Sequence, residues 1–159
     1  MPSPYPLTLY YDASCPLCAA EMHNLRLRDV DSRLRFVDAS ASGFADAPEG
    51  VTTPELMALM HARTADGQVL RGVPAFELAY AAVGLHGVAR LLRAPWLRPA
   101  LDRLYPFVAR HRQRLPRVLT HLLFGRALRR AAAQAAARRC DAASGCAFNP
   151  SNDGAGAPR

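Results

Sequence analysis

Two cysteines three residues apart, Cys15 and Cys18, directly follow a short apolar segment and constrain the fold more than any other feature. The segment Leu7–Tyr11 is apolar and rich in residues that favour strands, which predicts a buried β-strand. Pro16 suits the first turn of a helix, because the N–H group that proline lacks has no partner there. We therefore predict a strand, a tight turn and a helix with Cys15 at its N-terminus.

This placement favours thiol–disulfide exchange. The exchange needs a thiolate that attacks and a second thiol that releases the mixed disulfide. A helix N-terminus lowers the pKa of a thiol, so we predict Cys15 as the attacking sulfur and Cys18, one turn deeper, as the resolving sulfur. Asp12 and Ser14 are candidate caps of the helix. A C-x-x-C motif between a strand and a helix is a fairly specific redox signature.

The chain up to residue 87 alternates strands and helices, which predicts an α/β fold. After the C-x-x-C helix we expect a strand, a loop, one helical turn at Thr53-Pro54-Glu55, a hairpin and a further helix. The Asp66-Gly67 pair is a hairpin signal. The predicted ranges are the strand Leu34–Asp38, a strand near Ala58–Thr64, the returning strand Val69–Arg71 and the helix Pro74–Leu85.

Charge divides the chain into unlike parts, although the whole carries a net charge of +7. Residues 1–85 hold six Arg and ten acidic residues, whereas residues 86–139 hold thirteen Arg and a single acid. We predict a C-x-x-C unit at 1–87, an Arg-rich helical extension packed on it at 88–139, and a flexible tail at 140–159. Four prolines should divide the extension into short helices: Pro95, Pro99, Pro106 and Pro116.

The sequence also suggests a source and a cellular location. Every basic residue except histidine is Arg, a bias that points to a GC-rich bacterial genome. The first residues carry no basic, apolar secretory signal, and no apolar run reaches the roughly 18 residues that a spanning helix needs. We expect a cytoplasmic protein, and cytoplasmic disulfides are usually transient and catalytic.

The segment from Tyr11 to Cys18 resembles the signature of the DCC family of predicted thiol–disulfide oxidoreductases. The family's D-x-x-C-x-x-C motif is filled here by Asp12, Cys15 and Cys18, with Ala13 in place of the usual Gly. Three later segments are similar to family segments, so that the resemblance spans roughly residues 7–115: Met60-His61 before Asp66-Gly67, Gly72-x-x-Ala75-Phe76, and Leu104-Tyr105 through Val108-Ala109-Arg110 to Arg112. The resemblance implies a thioredoxin-like fold and oxidoreductase activity, and it does not name a substrate. We expect exchange with a disulfide-containing protein or a small thiol, and no cofactor.

Two residues near the motif keep alternative interpretations. Asp12 is either a carboxylate that relays a proton as Cys18 is activated, or the centre of an Asx-type turn before the helix. Thioredoxin-like proteins often place a cis proline against the C-x-x-C motif, and Pro54 is a candidate. We favour the simpler reading of Pro54 as part of a helix start.

The rest of the chain leaves two other functions open. Cys140 and Cys146 form a candidate second dithiol, and with Cys15 and Cys18 they could instead make a zinc-stabilised binding module, although the loose C-x5-C spacing favours redox chemistry. The Arg-rich residues 110–139 could make peripheral contact with a membrane, although packing on their own domain is favoured. No pattern of aromatic residues among the basic ones suggests nucleic-acid binding.

Overall fold

A computed structural model describes residues 3–112 together with residues 133 and 134. It confirms the predicted order of strands and helices up to residue 87. The elements are β1 (Leu7–Tyr11), α1 (Pro16–Arg28), β2 (Leu34–Asp38), α2 (Thr53–Ala58), β3 (His61–Arg63), β4 (Val69–Arg71), α3 (Val73–Ala82), α4 (His86–Arg93) and α5 (Arg98–His111).

The four strands form one mixed sheet in the order β2-β1-β3-β4. The central strand β1 runs parallel to β2 and antiparallel to β3, so that Leu9 pairs with Phe36 on one side and Ala62 on the other. All five residues of β1 are buried, as its continuous apolar sequence predicts. This mixed sheet with its helices is consistent with a thioredoxin-like fold.

Alternation along β1 sends its side chains to both faces of the sheet. Leu7, Leu9 and Tyr11 join the main core. Tyr10 points the other way and packs with Leu56 of α2 in a second cluster. Helices therefore cover both faces, and the end of β1 that leads into Cys15 lies deep in the protein.

The helix start at Thr53 is confirmed. Thr52 is the N-cap of α2, and Glu55 completes a capping box with it. Pro54 lies in the first turn of α2. Between residues 3 and 112 the only cis peptide bond precedes Pro6, so the reading of Pro54 as a cis proline is wrong and the simpler one is right.

The prediction that four prolines divide the extension holds only in part. Residues 94–97 separate α4 from α5, and Pro99 lies in the first turn of α5. Pro106, however, lies inside α5, and the helix continues past it. One reason is that Tyr105 and Ala109, one turn apart, both pack against the body of the protein. Pro116 lies outside the described residues.

Tyr105 fixes α5 to the sheet. Its hydroxyl accepts a hydrogen bond of 2.9 Å from the backbone N–H of Met60, just before β3. Its ring meets that of Phe76 edge to face at 5.7 Å between centroids. Gly72 makes this approach possible, because a Cβ there would lie 3.2 Å from a ring carbon of Tyr105. None of the helices within this described part is both long and apolar enough to span a bilayer.

Replacing Gly72 by Ala should destabilise the protein by about 1–3 kcal/mol, because the backbone there has φ +65° and the new methyl would crowd Tyr105. Gly67→Ala is the matched control, since Gly67 also has a positive φ (+89°) but nothing within 4 Å of its Cβ position. Urea unfolding should show the larger loss for Gly72→Ala. Equal losses would mean that the contact with Tyr105 does not hold α5 in place.

Candidate dithiol site

The dithiol lies where β1 ends and α1 begins. Cys15 is the N-cap of α1, with extended backbone angles, and Pro16 occupies the first turn. The sulfur of Cys15 accepts a hydrogen bond from the backbone N–H of Cys18 at 3.5 Å. The prediction that the helix N-terminus carries Cys15 is therefore confirmed. A sulfur at this position also lies in the field of the unpaired N–H groups of the first turn.

The prediction that Ser14 or Asp12 caps the helix is wrong. Asp12 instead organises the turn before it, since its Oδ1 accepts hydrogen bonds from both the backbone N–H (3.0 Å) and the hydroxyl of Ser14. This is the Asx-type turn that was one of the two readings of Asp12. Asp38, at the end of the neighbouring parallel strand β2, accepts a hydrogen bond from the N–H of Ala13 and holds the turn from the other side.

The two sulfurs are close enough to share a proton. The thiol of Cys18 donates to the sulfur of Cys15 across 3.0 Å. This hydrogen bond, with further ones from backbone N–H groups and the positive charge of Arg112, lowers the pKa of Cys15 to about 6 against the opposing effect of burial. The same hydrogen bond and burial raise the pKa of Cys18. Cys15 is thus the thiolate of the pair at neutral pH, and Cys18 is the thiol.

Exposure of the two cysteines differs from the sequence-based expectation. Cys15 has no exposed surface, whereas Cys18, expected to lie deeper, is partly exposed. Cys18 also lines a cleft of about 320 Å³ between α1, α3 and α5. Burial depends on how α5 packs against the turn, and the spacing of two cysteines along one helix carries no such information.

Arg112 is the site residue that sequence reasoning did not assign. Its side chain is 8% exposed and lies against the fully buried carboxylate of Asp12, with 3.5 Å between Nη2 and Oδ2. The guanidinium also donates to the carbonyl oxygen of Met57. A buried charge requires such partners. The one available signal was that Arg112 closes the segment beginning at Leu104-Tyr105 that resembles the DCC family.

Some of the remaining candidate residues lie outside the described part of the chain. Cys140 and Cys146 belong to this group, so the second dithiol and the four-cysteine zinc module stay predictions. Within residues 3–112 no three or more His, Cys, Asp or Glu side chains group as a metal site would require. Residues 113–132 and 135–139 of the Arg-rich extension are also outside, so packing and membrane contact both stay open there.

The sequence model of the DCC1-like thiol-disulfide oxidoreductase family matches residues 9–118, which include Asp12, both cysteines of the turn, Tyr105 and Arg112. The chain belongs to this family. Membership supports a general thiol–disulfide function and does not specify a substrate. No solved structure matches the chain significantly.

One curated relative is an Arabidopsis thaliana protein described as uncharacterized and chloroplastic. It is 30% identical over 113 residues, which cover 70% of this chain and 53% of the relative. The chain thus spans about half the length of this relative. The comparison supports neither a bacterial source nor a cytoplasmic location.

Arg112→Met should raise the pKa of Cys15 above its native value of about 6, because the substitution removes a positive charge that favours the thiolate. It should also cost up to about 3–5 kcal/mol of stability by weakening the neutralisation of a buried carboxylate. The pKa is measured by titrating the ultraviolet absorbance of the thiolate in the folded variant.

Arg112→Lys keeps the charge and should leave the pKa of Cys15 closer to the native value. Arg110→Met removes an exposed positive charge from the same helix and is the matched control. A native pKa in Arg112→Met, or the same shift in Arg110→Met, would show that the buried guanidinium does not act on Cys15.

Proposed function

We propose that this protein exchanges its Cys15–Cys18 dithiol with the disulfide of a partner, with Cys15 as the attacking and Cys18 as the resolving sulfur. The observation that carries the proposal is the sulfur pair at the start of α1, where a hydrogen bond of 3.0 Å stabilises the Cys15 thiolate. A pKa of about 6 makes most of Cys15 ionised at neutral pH. Family membership supports the same chemistry at the level of the reaction class.

The steps follow from the proton shared by the two sulfurs. Cys15 attacks one sulfur of the partner disulfide, which breaks the partner's S–S bond and releases the other sulfur as a thiolate that takes up a proton. The resulting mixed disulfide leaves no negative charge on Cys15, so the hydrogen bond that raised the pKa of Cys18 is lost. Cys18 then loses its proton more easily and attacks Cys15. The intramolecular disulfide forms, and the partner leaves with two thiols.

Asp12 is proposed to act by position and by charge. Its turn holds Ser14 and Cys15 in place, and its ion pair with Arg112 sets the local field. Among the smaller influences on Cys18, the negative charge of Asp12 raises its pKa while Arg112 lowers it. A relay of the Cys18 proton through Asp12 is also part of the proposal, since both residues line the same cleft and the charge of Asp12 acts on the Cys18 thiol.

The partner is proposed to be a disulfide-containing protein or the disulfide form of a small thiol, and the reaction to be a reduction of that disulfide. A cytoplasmic location would favour this direction, because thiol-based systems keep that compartment reducing. The location is itself a proposal that rests on the sequence alone.

Serine substitutions test the division of labour between the sulfurs. Cys15→Ser should abolish exchange, because no thiolate remains to attack. Cys18→Ser should accumulate a mixed disulfide on Cys15, because nothing resolves it. Both variants are made in a Cys140→Ser, Cys146→Ser background. Any adduct that mass spectrometry detects must then be on a cysteine of the C-x-x-C motif.

The background variant is the control, and it should keep exchange activity. Full activity in both single variants would refute the proposed reaction. Loss of folding and of bound zinc in the background variant would favour the four-cysteine zinc module instead.

The rate of exchange should follow the ionisation of Cys15. Only the thiolate attacks, so the rate should be nearly constant above a pH of about 7 and fall about tenfold per unit well below the pKa of about 6. Rapid mixing of the reduced protein with a disulfide whose own reactivity does not depend on pH gives this profile. A midpoint at about pH 8.5, the pKa of a free cysteine, would show that the rate does not depend on a Cys15 thiolate of lowered pKa.

A further inference from the structure

The cleft beside the dithiol has the build of a small-molecule site. Its volume of about 320 Å³ falls within the range of ligand pockets, about 300–1,000 Å³. Its walls are almost entirely apolar and come from several elements, with Leu17 and Met22 of α1, Phe76 of α3, and Leu104 and Val108 of α5 among them. Leu104 and Val108 are 56% and 38% exposed, so apolar surface extends to the rim.

The dithiol can be reached from this cleft. Cys18 lines the cleft and is partly exposed, while Cys15 has no exposed surface of its own. A disulfide that touches the Cys18 sulfur lies close to the Cys15 sulfur, because the two sulfurs are 3.0 Å apart. An approach through a concave cleft suits a small molecule better than a disulfide held in the flat surface of a folded protein.

The few polar groups of the cleft limit what it can hold. The charged Arg112 is paired with Asp12, so it offers no full counter-charge to a ligand. Glu21 is 6% exposed, and its Oε1 accepts a hydrogen bond of 2.7 Å from the Tyr80 hydroxyl. Its Oε2 is buried and has no hydrogen-bond partner among the described residues. Burial raises the pKa of Glu21, which disfavours its charged form.

We propose that this cleft binds a small, uncharged and largely apolar disulfide, such as one on an aliphatic chain, and presents it to the Cys15–Cys18 dithiol. The proposal rests on the proposed function and narrows its substrate class. In the reaction the S–S bond of the small molecule breaks and a Cys15–Cys18 bond forms. Two electrons pass to the small molecule with one proton from Cys18 and one from water, and the small molecule leaves as a dithiol or as two thiols.

The test compares two disulfides on the full-length reduced protein. Lipoamide is uncharged and carries its disulfide on an aliphatic chain, whereas glutathione disulfide is charged and polar. Each rate constant is divided by that of the same disulfide with dithiothreitol, which removes differences in intrinsic reactivity. The normalised rate for lipoamide should exceed that for glutathione disulfide by at least about tenfold, the scale on which an apolar pocket discriminates.

A variant pair locates the preference. Leu104→Trp narrows the cleft, so it should lower the normalised rate constant for lipoamide more than that for glutathione disulfide. Phe107→Trp is the control, because Phe107 lies on the same helix, is similarly exposed at 62% and does not line the cleft.

The outcomes separate this proposal from the proposed function. Exchange with both disulfides at equal normalised rates would leave thiol–disulfide chemistry standing and overturn the cleft proposal. An equal loss of the exchange rate with lipoamide in Leu104→Trp and Phe107→Trp would likewise overturn the cleft proposal. No exchange with either disulfide would instead refute the proposed function.

Discussion

The buried carboxylate of Asp12 is the constraint on which the arrangement of the site depends. A charge with no access to water is costly unless hydrogen bonds and an opposite charge surround it. Its own turn supplies hydrogen bonds from Ser14, and the end of α5 supplies the guanidinium of Arg112. The same carboxylate therefore shapes the turn that leads into Cys15 and ties a helix from the far end of the described chain to the dithiol.

That link explains why the family segments, distant in sequence, meet in space. Tyr105 seats α5 on Gly72 and on the backbone of Met60, and Arg112 follows two turns later beside Asp12. The helix forms one wall of the cleft as well as carrying the positive charge that favours the Cys15 thiolate. Its attachment to the sheet is thus part of the site and not only of the fold.

Local patterns predicted the strands, the hairpin and the C-x-x-C helix because apolar runs, turn residues and Pro16 determine the backbone conformation of residues close to them in sequence. They could not predict the ion pair of Arg112 with Asp12, since the partners lie 100 residues apart and neither local pattern points to the other. The burial of Cys15 and Glu21 could not be predicted for the same reason. The exposure of each side chain depends on which other elements pack against α1 and its N-terminus, and the residue pattern of α1 does not contain that information. Pro106 inside α5 shows the opposite case, in which packing kept a helix continuous where proline predicts a break.

The reduction potential of the Cys15–Cys18 pair shows most directly whether this dithiol is redox-active. It is determined by equilibrating the chain, with metals chelated, in thiol–disulfide redox buffers and counting free thiols by mass. We predict a reversible disulfide between these two cysteines with a potential between about −120 and −270 mV, the range of known thioredoxin-like oxidoreductases. A pair that forms no reversible disulfide, in a chain that unfolds once metal is removed, would show that the cysteines are structural and not redox-active.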